Sequence, residues 1–248
     1  NDGSMRPVEI LAKPGTIVMS NPGAPVTMST SHCAQEIIEA IIVALSGACP
    51  QRTMAGWGRR LRIAIKGKDP RNGRPFIWHM FHARPGAGAS SGGDGWHNSG
   101  EWHSAGGLKF GSVEVAEVRF PLFFAEHEFR PNSGGDGQFV GGAGVDLKFS
   151  VETEDDCVAN TAGDGIRHGS RGLMGGNDGL PHRYLLREPG RRVRALGSKQ
   201  EGIPVRAGST FEVHSAGGGG WGDPSEREPA ARRRDRRDGI ETRRRTIS

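Results

Sequence analysis

Four glycines in succession, Gly217 to Gly220, sit in a chain in which 40 of 248 residues are glycine. No side-chain packing holds such a run, so it needs a neighbouring backbone, a ligand, or freedom to move. Residues 86–179 contain many more of the glycines, in short clusters such as Gly92-Gly93 and Gly134-Gly135. No strict three-residue repeat accompanies them, which excludes collagen, and no repeat of 20–50 residues emerges. Apolar residues make up 34% of the chain and aromatic residues 6%. That composition supports a lean core with many ordered loops. The glycines are therefore read as loops that bring backbone N–H groups near a ligand or another chain, or that turn corners at positive φ.

Between the glycine clusters lie short regular elements. Residues 31–47 predict a helix, because Ala34, Ile37, Ile38, Ile41, Ile42 and Leu45 recur at spacings of three and four. Gly47 and Pro50 end it. Its apolar stripe covers about half the turn, which predicts a largely buried helix. Strands are predicted at 61–65, 76–81, 113–120, 123–129, 145–151 and 205–213. The fold class expected is α+β: mixed, strand-rich, with long glycine-rich loops and one buried amphipathic helix near the N-terminus. The length fits one large domain or two small ones.

Charge separates a body from a tail. The net charge is +5, yet residues 225–248 carry most of it, with arginines outnumbering acids. No aromatic interleaves those arginines and the body is near neutral, so a nucleic-acid partner is not expected. The expectation is a body over 1–224 and an Arg-rich, disordered tail over 225–248. The longest apolar stretch, residues 37–45, is far shorter than the ~20 residues of a bilayer span. Cys33, Cys49 and Cys157 match no zinc or CxxC spacing, as in reduced thiols of a cytoplasmic protein. The chain opens on Asn1 and runs at once into a charged, β-prone segment. This is read as the later part of a longer coding unit or one piece of a split subunit.

The common catalytic motifs are missing. No G-x-x-x-x-G-K-[ST] phosphate loop or H-E-x-x-H occurs, and no G-x-G-x-x-G or G-x-S-x-G elbow stands between a strand and a helix. Three clusters remain. Asp94, His97, Glu101 and His103 place two carboxylates and two imidazoles within ten residues, a set able to shuttle protons. A loop whose His and Trp side chains simply pack is the competing reading, and the spacing defines no metal site. Asn132, Ser133 and Asp136 belong to a turn with free N–H groups, an anion nest in principle. Asp136 argues against phosphate there, and a hairpin-like corner between Phe129 and Phe139 is the reading favoured. Gly217, Gly218, Gly219 and Gly220 form the third, as an active-site flap or as a subunit contact.

The order of these motifs resembles a known family. NDGSMRPVE, Pro50-Gln51-Arg52 after the helix, Pro75-Phe76, GGDG at 92–95, VEVAEVRFPL, RPNSGGDGQFVGGAG, LMGGNDG at 173–179 and GGGGWGDP together look like the C-terminal half of the hydantoinase B/oxoprolinase family. The resemblance covers about residues 1–224. It implies a component of an ATP-dependent cyclic-amide hydrolase that acts on C–N bonds. A separate hydantoinase A-type subunit would bind ATP and phosphorylate the substrate carbonyl oxygen. The N-terminal half of the B-type subunit would be a second partner and would carry the family's metal ligands. No cofactor is therefore assigned to this chain; ATP and a divalent metal are expected on partner segments, and the chain alone is expected to be inactive. The substrate implied is a small cyclic amide or ketone, with no membrane partner. Asp94, His97, Glu101 and His103 are the candidate catalytic residues. Asp2, Arg6, Asn132, Ser133, Asp136 and Gly217–Gly220 are the candidate substrate contacts. Phe110-Gly111-Ser112 replaces the family's N-T-P, and Trp221 its usual tyrosine. These departures keep two alternatives open: a component of an acetone/acetophenone carboxylase-like enzyme, or a non-catalytic fragment that completes such a subunit.

Overall fold

Strict alternation of buried and partly exposed residues along Val145–Val151 marks a strand with one face in a core. In the computed structural model, which describes residues 6, 9–27, 29–102, 111–153 and 157–242, that segment is the strand β4 of a five-stranded sheet. The strands in chain order are β1 Leu61–Lys68, β2 Pro75–His79, β3 Leu122–Phe129, β4 Val145–Val151, β5 Cys157–Gly163, β6 Arg183–Arg187, β7 Arg194–Ala195, β8 Lys199–Val205 and β9 Thr210–His214. One sheet has the order β2-β1-β5-β8 and the other β3-β4-β9-β6-β7. Every paired strand is antiparallel.

The inward residues of both sheets form one core. Ile63 and Ile65 of β1 and Trp78 of β2 join Leu147 and Phe149 of β4, Leu186 of β6 and Phe211 of β9. Trp78 meets Phe149 edge-on at 5.0 Å between ring centres, and Phe149 stacks on Phe211 at 5.2 Å. The Tyr184 hydroxyl crosses from β6 to bond the backbone of Arg62 in β1, which satisfies the polar end of a buried ring.

Several local expectations change. Residues 113–120 are not a strand: Val113–Arg119 is a short helix, α2. The Ser112 hydroxyl caps it by accepting from the Val115 N–H, and only Ala116 is buried, so V-E-V-A-E-V serves one turn and a half instead of a pleat. Residues 205–213 are likewise not one strand. Val205 ends β8, Gly208 turns the chain at φ +74°, and β9 starts at Thr210. Strands β5, β6, β7 and most of β8 lie outside the expected segments. Small residues hide the alternation in CVANTAG, and β8 carries Gly202 and Pro204, which it tolerates as an edge strand.

The predicted helix is present as α1, Ser29–Ser46, but it is not buried. Ile37, Ile41 and Leu45 are exposed, while Gln35 and Glu39 face the body. The tail expectation is corrected for residues 225–242. A 3-10 turn at Pro224–Glu226 leads into the helix α3, Pro229–Arg237, and Arg227 is buried.

The glycines take the first of the options open to them, a neighbouring backbone. Many of them pack against one another. The Gly217 and Gly220 N–H groups donate to Leu180 and Asn177, both in one neighbouring segment. Gly218 donates to Gly142, and Gly219 to Gly56. Return bonds come from Gly135 to Gly218, Ala89 to Gly219 and Leu173 to Gly220. A partner direction that repeats every three residues is the period of a polyproline II helix, whose N–H and C=O groups all point sideways. Gly217–Gly220 is thus the spine of a bundle of extended segments, buried throughout. It is not a moving flap: all four N–H groups are held by different or successive neighbours.

His182 ties this bundle to the sandwich. Its fully buried ring donates from Nε2 to the Arg59 carbonyl at 2.6 Å and accepts the Ala216 N–H at Nδ1 at 2.8 Å. Accepting an N–H at Nδ1 requires the neutral ring, and burial pushes its pKa down to about 4. The unfolded chain then takes up a proton near pH 6.5 that the folded chain refuses. Stability is full above that pH, declines as pH falls towards 4 by about 3 kcal/mol, and levels off below. Denaturant titrations of wild type and His182→Gln over pH 4–7 should show this slope in the first and a shallower one in the second.

Candidate functional site

Two neighbouring hollows lie where the bundle meets the C-terminal segment. The larger, about 460 Å³, is lined by Asn132, Asp136, Arg232, Arg236 and Glu241 among others. The smaller, about 260 Å³, is lined by Asp94, His97, Phe129, Arg234 and Asp238 among others. Val140, Arg227, Asp235 and Ile240 border both.

Asp94 is fixed from two sides. It accepts the Val140 N–H at 2.8 Å and two bonds from Arg227, at 2.7 and 3.0 Å. Burial works against its ionisation, but the Arg227 guanidinium more than offsets this and holds the carboxyl below its usual range. Arg227 also reaches Asp235 at 2.6 Å, so it bridges the GGDG turn and α3. Its two carboxylate partners outweigh the effect of burial and raise its own pKa.

His97 accepts the Ala143 N–H at Nδ1, at 2.8 Å, and its ring lies 5.2 Å from that of Phe129. An amide can only donate, so the neutral ring carries its proton on Nε2. Desolvation lowers its pKa, which favours that neutral form near pH 7. The Nε2–H of His97, at the hollow's lining, is thus the ring's donor, and a ring held this way suits donation to an oxygen better than it suits a general base.

The other sequence candidates divide. Asn132, at φ +55°, holds the C-terminal segment: its N–H donates to Ile240, and its side chain exchanges bonds with Thr242. Ser133 is fully buried and bonds Arg130 and Gly144 within the corner. Asp136 is exposed at the rim, and its carbonyl accepts the Asn177 N–H. Glu101 is apart from these hollows, buried in an ion pair with Arg62 at 2.6 Å. Arg6 is exposed. Asp2 and His103 lie outside the described residues. The structure therefore brings together Asp94, His97, Asn132 and Asp136, separates Glu101, and places Gly217–Gly220 inside the bundle.

A third hollow, about 630 Å³, was not foreseen from sequence. Arg59, Asp164, Arg167, His168 and Lys199 line it with Glu36. Asp164 bonds His32 at 2.6 Å and also pairs with Lys199. Burial opposes its charge, yet those two partners draw its pKa down to about 2. Its members come from four distant segments, so no local spacing announces it. Among the described residues no group of three His, Cys, Asp or Glu is arranged to hold a metal ion. The three cysteines are free thiols. No helix among the described residues is long and apolar enough to cross a membrane.

An antiparallel sandwich joined to a glycine bundle, with polar hollows at the bundle's rim, defines a strand-rich α+β class of protein. The chain belongs to the hydantoinase B/oxoprolinase family, whose sequence signature matches residues 1–224. It is 30% identical to the caprolactamase beta subunit of Pseudomonas jessenii over 97% of this chain and 42% of that one. It is 27% identical to the B-type subunit of a putative D-/L-hydantoinase of Pseudomonas sp. (strain NS671), over 100% of this chain and 40% of that one. Among solved structures, the ATP-dependent caprolactamase of Pseudomonas jessenii superposes with a TM-score of 0.79 at 26% identity, over 94% of this chain and 41% of that one. Nucleotide-free acetone carboxylase shares the fold, with a TM-score of 0.65 at 20% identity, over 80% of this chain and 30% of that one. The chain thus spans about two fifths of the length of the caprolactamase and hydantoinase chains that it matches.

Proposed function

We propose that this chain is a component of an ATP-dependent cyclic-amide hydrolase. It works with an ATP-binding A-type subunit and with the rest of a B-type subunit. The observation that carries this reading is the likeness to a caprolactamase beta subunit along 97% of the chain. The carboxylase alternative rests on a fold likeness at 20% identity, and no side-chain arrangement here favours it.

The chemistry needs a better leaving group than an amide offers. Phosphorylation of the carbonyl oxygen on the partner subunit would supply one. In this reading the Nε2–H of His97 steers an oxygen of the activated amide, and the Asp94–Arg227 pair keeps the turn before it in place. Asn132 and Asp136 border the space in which the ring sits. Glu101, paired with Arg62, is given no contact with substrate.

The test combines this chain with its partner segments and follows ATP-dependent loss of a lactam, of a hydantoin and of a ketone, with and without bicarbonate. Loss of the ring independent of bicarbonate is expected. Bicarbonate-dependent carboxylation of a ketone, or no turnover from a well-formed complex, overturns the proposal. In the active complex, His97→Ala should lower kcat about 100-fold, the usual cost of one lost donor at a reacting oxygen, while assembly is unchanged. Unaltered kinetics would return His97 to a packing role against Phe129.

A further inference from the structure

Helix α1 is mounted with its polar face inward. His32, Gln35, Glu36 and Glu39 recur at helical spacing and all contact the body. His32 bonds Asp164 at 2.6 Å, and Gln35 donates to the Gly58 carbonyl at 2.8 Å. Glu36 meets Arg59 at 3.0 Å, and Glu39 takes the same guanidinium in two bonds at 2.5 and 2.8 Å. The opposite ridge is apolar and open: Ile37, Ile41 and Leu45, four residues apart, are 40%, 54% and 50% exposed. A helix whose outer face met only water would carry these residues the other way round.

The segment before α1 repeats the pattern. Every residue from 9 to 27 is exposed. Ile10, Leu11, Ile17, Val18, Met19 and Val26 are among them, and Glu9 and Lys13 are its only charges. The Cys33 thiol, on the ridge of Ile37 and Ile41, reaches the Ile17 carbonyl at 4.0 Å, so arm and helix present one face. An apolar surface of this extent on a folded chain marks an interaction site.

The length of the relatives identifies the occupant. This chain matches 42% of the caprolactamase beta subunit and 40% of the hydantoinase B-type subunit, so more than half of each has no counterpart in it. We propose that the arm and the outer ridge of α1 seat that remaining part of a B-type subunit through an apolar, salt-insensitive contact. This rests on the family assignment and not on the reaction, so it can fail while the hydrolase reading stands.

The test co-expresses this chain with the part of the Pseudomonas jessenii caprolactamase beta subunit that it does not match, and in parallel with the corresponding part of the hydantoinase B-type subunit. A 1:1 complex that survives 1 M salt is expected, as salt at that level screens charge pairs beyond about 3 Å. The double variant Ile37→Asp/Ile41→Asp changes only exposed side chains and should retain its circular dichroism while losing at least 100-fold in affinity. In the complex, alkylation of Cys33 should slow at least tenfold, with the exposed Cys49 as the internal reference. A complex indifferent to the double variant overturns the proposal. So does the absence of a complex with both partners, or a homodimer of this chain that the double variant dissolves.

Discussion

Gly218→Ala should leave no folded protein at 25 °C. A Cβ on Gly218 would stand 1.8 Å from the Ala87 carbonyl oxygen, 2.3 Å from its carbon and 2.8 Å from the Gly88 nitrogen. These are backbone atoms, and no rotamer change moves them. Retreat in other directions is closed as well, since Gly217, Gly219 and Gly220 approach the Ser133, Arg171 and Asp136 carbonyls to within 2.0–2.2 Å of a Cβ position. One surplus methylene in an ordinary core costs about 1–3 kcal/mol because side chains give way. Here whole segments must separate and lose their cross-bonds, so the cost should exceed about 5 kcal/mol, comparable with the total stability of a domain. Gly47→Ala is the control: nothing lies within 4 Å of that Cβ, and the change should shift stability by less than about 1 kcal/mol. Soluble yield and urea midpoints measure both. A Gly218→Ala protein with the wild-type midpoint would rule out the close-packed spine.

This expectation shows where sequence reading reached its limit. The strand at 145–151 was legible because alternate residues point to opposite sides and only one side is buried. Helix α1 was legible in position, since its spacing belongs to the backbone. Its orientation was not, because the apolar ridge is directed away from this chain's own core and the polar stripe finds Arg59, Gly58 and Asp164. The glycine clusters were visible as clusters, but their pairing is long-range: Gly218 meets residues near 87 and 142. No local pattern encodes that. The same limit applies to the site. Asp94 and His97 share a loop and were noticed together. Arg227, which fixes Asp94, lies in a tail that composition alone marks as solvated, and only the fold brings the two within 2.7 Å. The hollow around Asp164 was missed for this reason too.

Glu101 tests the division between packing and chemistry within the cluster of Asp94, His97, Glu101 and His103. Its carboxylate is 2% exposed and meets Arg62, 7% exposed, at 2.6 Å. Arg62 also donates to the Leu61 carbonyl at 2.8 Å and lies over the Phe81 ring at 4.6 Å. Burial lowers the pKa of Arg62, and Glu101 acts against that. Glu101→Ala should therefore cost about 3–5 kcal/mol, because it strands a buried guanidinium. Arg62→Met/Glu101→Leu removes both charges and keeps apolar volume. It should recover most of that loss, since a buried pair gains little net energy over a packed apolar replacement. Urea midpoints of the two single variants and the double variant measure the coupling directly. A structural pair also sets an expectation for the complex proposed above. The double variant should retain its turnover per folded molecule, whereas His97→Ala should lose turnover per folded molecule. If the double variant folds normally and is inactive, Glu101 belongs to the chemistry after all. If Glu101→Ala costs nothing, the pair with Arg62 contributes nothing to the fold.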